Sequence, residues 1–160
     1  GEALVIVNPE KFDDHFRYMI KRQCALLAKG RLIPVQLKAL FEGGKESLYY
    51  ELSKKENELA IKLAEGVQAA AEKAGVTVSI NHSASLLTVF FTGEKVDSYA
   101  AAMTSDTAKF KVFFQSMLNQ GVYLPPSQFE CWFVSLAHTD EDIEKTIAAA
   151  EKAFAEVAAM

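Results

Sequence analysis

Apolar and polar positions divide the chain into strand-like and helix-like stretches. "ALVIV" (Ala3 to Val7) is rich in β-branched residues and stops at Asn8-Pro9, a turn pair. Phe12, Phe16, Met19, Ile20 and Leu27 then recur at helical spacing, and Gly30 stands where a helix would stop. Arg31, Pro34 and "EGG" at 42–44 mark a connector with room for a short helix. The longest periodic run is "KESLYYELSKKENELAIKLAEGVQAAAEKAG". It predicts a helix with Leu48, Leu52, Leu59, Leu63 and Val67 on one face and Glu and Lys on the other, closed by Gly75.

The second half changes period. "VTVSI" (76–80) alternates as a half-buried strand does, and "LLTVFFT" (86–92) is almost continuously apolar, as a central strand covered on both faces would be. Asn81 to Ser85 separates them, which predicts a hairpin with an irregular turn. "SDTAKFKVFFQSMLNQG" predicts a helix buried through Phe110, Phe113, Phe114 and Met117 and ended by Gly121. "ECWFVSLA" (130–137) reads as a strand. Thr139 then caps a last helix with Asp140, Glu141 and Asp142 in its first turn, where the helix dipole favours anions. Its buried face is Ile143, Ile147, Phe154 and Val157. The order β-α-(α)-α-β-β-α-β-α predicts an α+β two-layer sandwich. Its sheet is small, antiparallel or mixed, with three or four strands and helices packed on one face.

Composition narrows the function classes. A chain of 160 residues, half of them hydrophobic, is expected to form one compact domain and to hold together without a metal or disulfide. A net charge of −4 gives no case for nucleic acid. No stretch approaches the length of a membrane span, and the N-terminus lacks a signal peptide's basic start and apolar core. We therefore expect a cytoplasmic protein without a membrane partner. Cys24 and Cys131 sit in apolar runs and read as buried, unreactive thiols.

Few residues suggest chemistry. His15, His82 and His138 show no metal-ligand spacing. Nucleophile-elbow, dinucleotide and P-loop patterns are absent. Arg17, Lys21, Arg22, Lys29 and Arg31 form a patch that either docks an acidic partner or is a solvated helix face. The phenylalanines keep helix and strand spacing, which favours core packing over a base-stacking platform. Glu130 is placed unusually, directly before Cys131, Trp132 and Phe133. It either ends a strand in solvent or is partly desolvated in a cleft, where proton handling would suit it.

The motifs "VFFT", "SDTAKF", "ML-QGVYL-PSQFE" and "SLAHTDEDI" resemble, with family spacing, the C-terminal domain of glutamate-1-semialdehyde 2,1-aminomutase, a fold-type I pyridoxal-phosphate (PLP) enzyme. The resemblance runs over about residues 46–158 and extends more weakly back through "ESLYYEL". Residues 1–45 have no counterpart and read as a foreign or engineered strand-helix segment, and 46–160 as the aminomutase-like domain. The resemblance implies that Glu130, in the "PSQFE" motif, faces an active site, with Ser127 and Gln128 shaping its surroundings. His138 matches the family's "AHT". Ala84 stands where the family usually has glycine, and Trp132 where many relatives have glycine.

The family's reaction converts glutamate semialdehyde into 5-aminolevulinate, a tetrapyrrole precursor. It uses a Schiff-base lysine, an acidic partner for the pyridine nitrogen and a phosphate-binding loop. The resemblance assigns all three to the family's large domain, which has no match in this sequence. The expectation is a small domain that binds no PLP and turns over nothing alone. The alternatives are a free-standing interaction or dimerisation module, and one chain of a split enzyme that needs a complementary large-domain chain.

Overall fold

A computed structural model describes Glu10 and residues 15–25 and 30–160. The strand expected at Ala3–Val7, the Asn8-Pro9 turn, Phe12 and Leu27 lie outside the described residues. The chain divides into two compact units, Gly1–Tyr50 and Glu51–Met160.

In the first unit, helix α1 spans Phe16–Arg22 and α2 spans Leu32–Phe41. Neither contains a buried residue. The helix expected to run to Gly30 stops at Arg22. The Ala25 amide donates to Ile20 O at 3.1 Å and the Cys24 amide to Lys21 O at 3.0 Å. This is a Schellman closure with Cys24, at φ 55°, in the left-handed position that usually takes glycine. Cys24 is exposed, which corrects the expectation of a buried thiol.

The second unit is built on helices α3 (Leu48–Lys73, in this unit from Glu51 on), α5 (Thr107–Asn119) and α6 (Asp140–Ala158), with a short α4 at Tyr99–Ala102. Gly75 and Gly121, both at positive φ, close α3 and α5 with the same Schellman pattern, Val76 N–H to Ala71 O and Val122 N–H to Met117 O. The N-termini are capped as the sequence predicts. Asp106 accepts from the Ala108 and Lys109 amides, and Thr139 forms a capping box with Asp142.

Three strands, β1 (Ser79–Ser83), β2 (Leu86–Phe90) and β3 (Trp132–Phe133), form an antiparallel sheet in the order β1-β2-β3. The fold is the expected α+β arrangement, with helices packed against the sheet. "LLTVF" is the central strand, and Leu87 to Phe90 are all buried. Strand boundaries differ from expectation. β1 begins three residues later than "VTVSI", past the Val76 amide that caps α3, and runs on to Ser83, so Asn81 to Ser83, expected in an irregular turn, pair with β2, which ends at Phe90. β3 keeps only two of the eight residues in "ECWFVSLA". Its partner strand starts at Leu86, so Val134 bonds back to Ser85 O, and the Ser135 amide turns to His138 Nδ1.

Side chains alternate across the sheet. Leu87, Val89 and Trp132 join Val134 and Phe91 in a core shared with all three long helices. Phe113 sits at its centre, with ring centroids 4.6 Å from Phe154 and 5.5 Å from Phe91. The face expected for α3 is buried at Leu59, Leu63 and Val67 but not at Leu48, which is exposed.

Candidate functional site

The "PSQFE" stretch folds as a tight turn on the way from α5 to β3. Ser127 O accepts the Glu130 amide at 3.1 Å, and Ser127 Oγ accepts the Phe129 amide at 3.2 Å. The two bonds hold residues 127–130 in one conformation, the serine acting on its own backbone. Gln128 ties the turn to the sheet. Its side chain is buried, and its Oε1 accepts the amide of Phe91, just past the end of β2, at 3.3 Å. The other end of that amide, Nε2, is buried without a protein hydrogen-bond partner.

Ser127, Gln128 and Glu130 are thus brought together, with three different exposures. Ser127 is half-buried, Gln128 is buried and Glu130 is exposed. The partly desolvated setting considered for Glu130 is not what surrounds it, and the strand-end alternative describes its place. Cys131, expected to be buried, is exposed as well, and its Sγ accepts a hydrogen bond from Thr88 Oγ1 at 3.3 Å.

Thr88 and Phe90 point to the side of the sheet away from the helical core. On that side lies a concavity of about 690 Å³, whose lining includes Asn81, Thr88, Phe90, Phe129 and Cys131. Phe129 and Cys131 flank Glu130 in the chain, and Glu130 itself does not line the concavity. Asn81 closes one side by donating from Nδ2 to Val96 O at 2.6 Å. Sequence reasoning missed Asn81, Thr88 and Phe129. The single hydroxyl inside "LLTVFF" was the available signal that one face of β2 differs from the other.

The histidines are not brought together. His82 lines the concavity, His138 lines a separate groove beside α6 with its Nδ1 accepting the Ser135 amide at 3.0 Å, and His15 precedes α1. Among the described residues no group of three potential ligands gathers to hold a metal.

A PLP site needs an amine for the Schiff base and an acidic partner for the pyridine nitrogen. The concavity is lined by neither a lysine nor a carboxylate. The residues that line this concavity do not fit the cofactor.

No family model matches the chain. Among curated relatives, the glutamate-1-semialdehyde 2,1-aminomutase of Anaeromyxobacter dehalogenans is 53% identical over 100 residues, 62% of this chain and 23% of the relative. That of Heliobacterium modesticaldum is 56% identical over 103 residues, 64% and 24% respectively. Among solved structures, the aminomutase of Pseudomonas aeruginosa superposes with a TM-score of 0.61 at 18% identity, over 70% of this chain and 25% of that one. A variant of it in complex with PMP gives 0.59 at 18%, over 67% and 24%. At these identities the structural likeness shows the fold. The chain spans about a quarter of the length of the relatives it matches. The resemblance carried by the "PSQFE" and "SDTAKF" motifs holds: over about 100 residues this chain is similar, at half its positions, to one segment of glutamate-1-semialdehyde 2,1-aminomutase.

Proposed function

We propose that residues 51–160 act as the small, cleft-closing domain of an aminomutase-type PLP enzyme, with Glu130 presented from a fixed turn toward a cleft whose other wall is a large domain. The observation that carries this reading is the turn itself. Ser127 and Gln128 together hold the backbone of 127–130 against the end of β2, in a stretch that also carries the family motif. Such a double tether leaves Glu130 exposed on a backbone held in place, as a carboxylate offered to a substrate requires. The concavity beside this turn is lined by neither an amine nor a carboxylate, so on this reading turnover requires the large domain.

The test is a graft. Residues 51–160 replace the matching segment of a bacterial aminomutase, and formation of 5-aminolevulinate is measured. Activity in the graft, with a fall in kcat of about a hundredfold or more for Glu130→Gln at intact cofactor absorbance, is the expected result, as for one positioned proton-handling group. A folded graft that loads PLP and is inactive, or a Glu130→Gln graft with full activity, contradicts the reading. Titrating PLP into the chain alone should give no aldimine band that borohydride locks onto a lysine.

A second reading draws on the same sheet face. Phe133 is 71% exposed and Phe129 46%, and apolar groups placed together in this way favour association. The face would then meet a complementary large-domain chain or a second copy of this one. Sedimentation over a concentration range separates the two, since only self-association appears in the purified chain.

A further inference from the structure

The amide nitrogen of Gln128 has no role in the reading above. Gln128 is only 2% exposed. Its Oε1 accepts the Phe91 amide at 3.3 Å. A backbone amide needs an acceptor, so the oxygen is the atom turned to Phe91, and Nε2 with its two protons is left on the other side. Nε2 is buried and has no hydrogen-bond partner among the described residues. A buried donor of this kind is uncommon in a folded protein and calls for an acceptor.

Gln128 lines a second cavity, of about 250 Å³, between the 127–130 turn and the first two turns of α5. Its walls are apolar at Phe110, Phe114 and Phe129, and the Phe110 and Phe114 ring centroids lie 6.1 Å apart. Lys111 brings one positive charge to the lining. It is exposed and makes no ion pair among the described residues. Thr107 adds a hydroxyl, and no carboxylate lines the cavity. The neighbouring Asp106 carboxylate is committed to the Ala108 and Lys109 amides, at 2.9 and 3.0 Å.

These features select a ligand. A cation and a buried donor without a balancing anion favour an anion with acceptor oxygens. Three phenylalanines favour a flat apolar body. Pockets for drug-sized ligands begin at about 300 Å³, so this cavity is too small for a peptide segment or a lipid. We propose that it binds a small aromatic carboxylate. The ring packs against Phe110, Phe114 and Phe129, and the carboxylate accepts from Lys111 and Gln128 Nε2. Occupancy would bear directly on the turn that carries Glu130.

The test uses the whole chain, labelled with ¹⁵N, and benzoate as the probe. The Gln128 side-chain amide signal, linked to its backbone by triple-resonance NMR, should shift saturably with a dissociation constant on the order of 1 mM, as for a ligand of so few atoms. Benzyl alcohol, which keeps the ring, and acetate, which keeps the charge, should each bind at least about tenfold more weakly. Lys111→Met should cost about tenfold, the loss of one charge-assisted hydrogen bond, and Lys111→Arg should keep most of the affinity. Lys111 is exposed, and circular dichroism checks that both variants keep the helix content of the parent. A Gln128 side-chain signal that does not respond overturns the proposal. So does acetate binding as tightly as benzoate, or unchanged binding by Lys111→Met. The experiment involves no cofactor or turnover, so its outcome is independent of the graft.

Discussion

Ile147 of α6 occupies the space that Gly66 leaves open on α3. A Cβ at position 66 would stand 2.6 Å from Ile147 Cγ1 and 3.1 Å from Cγ2. Glycine weakens a helix interior by about 1 kcal/mol relative to alanine. Its presence here answers to packing.

Gly66→Ala should therefore lower the melting temperature in spite of better helix propensity. The overpacking cost of roughly 1–3 kcal/mol exceeds the propensity gain of about 1 kcal/mol. Shortening the intruding side chain with Ile147→Val in the same molecule should recover part of the loss. A double-mutant cycle by denaturant unfolding reads the coupling, and simple additivity would contradict the contact.

Ala84→Gly should stabilise the protein. β1 and β2 are joined through Ala84 and Ser85, and Ala84 has φ 52°. A side chain in that region costs about 1 kcal/mol that glycine avoids. The expected change is a rise in melting temperature of several degrees, measured by calorimetry, with the Ser83–Leu86 pairing unchanged by NMR.

Acid should loosen the start of α6. Hydrogen bonds from the Thr139 backbone and then its side chain hold the Asp142 carboxyl below its ordinary range. A depressed folded value means that this contribution is present above the unfolded pKa of about 3.9 and is lost as pH falls through the folded value. Carboxyl NMR of Asp142 should show a low midpoint, and Thr139→Val, which removes the hydroxyl, should move it upward. Fraying of residues 139–143 should track the same titration.

Gln128→Ala should free the turn that presents Glu130. It removes the acceptor of the Phe91 amide and leaves a hole beneath the turn. Hydrogen exchange at the Glu130 amide should speed up relative to the amides of α6. Gln128→Glu keeps an acceptor at that distance but buries a carboxylate, so it should hold the turn only at low pH.

The helical half of the fold was legible because its signals are local. Phe110, Phe113 and Met117 announce the buried face of α5 by spacing alone, and Thr139 with Asp142 announces the start of α6. β3 was not legible at its true length. How many residues pair depends on where β2 begins, 46 positions earlier in the chain. Cys131 was misread for a related reason. "ECWF" looks the same whether both faces of a sheet are covered or one, and here Cys131 and Phe133 fall on the side away from the helices. The site was legible only through its motif. Nothing in the local pattern showed that Gln128 would be buried or that Glu130 would not.

The exposure of both cysteines gives the native sequence a practical property. Cys24 lies in the first unit and Cys131 in the second, and no other thiols are present. A maleimide spin label added to the unaltered protein places one probe in each unit. A single pulsed dipolar experiment then reports their separation, and repeating it with a large-domain chain follows that docking event without a single substitution.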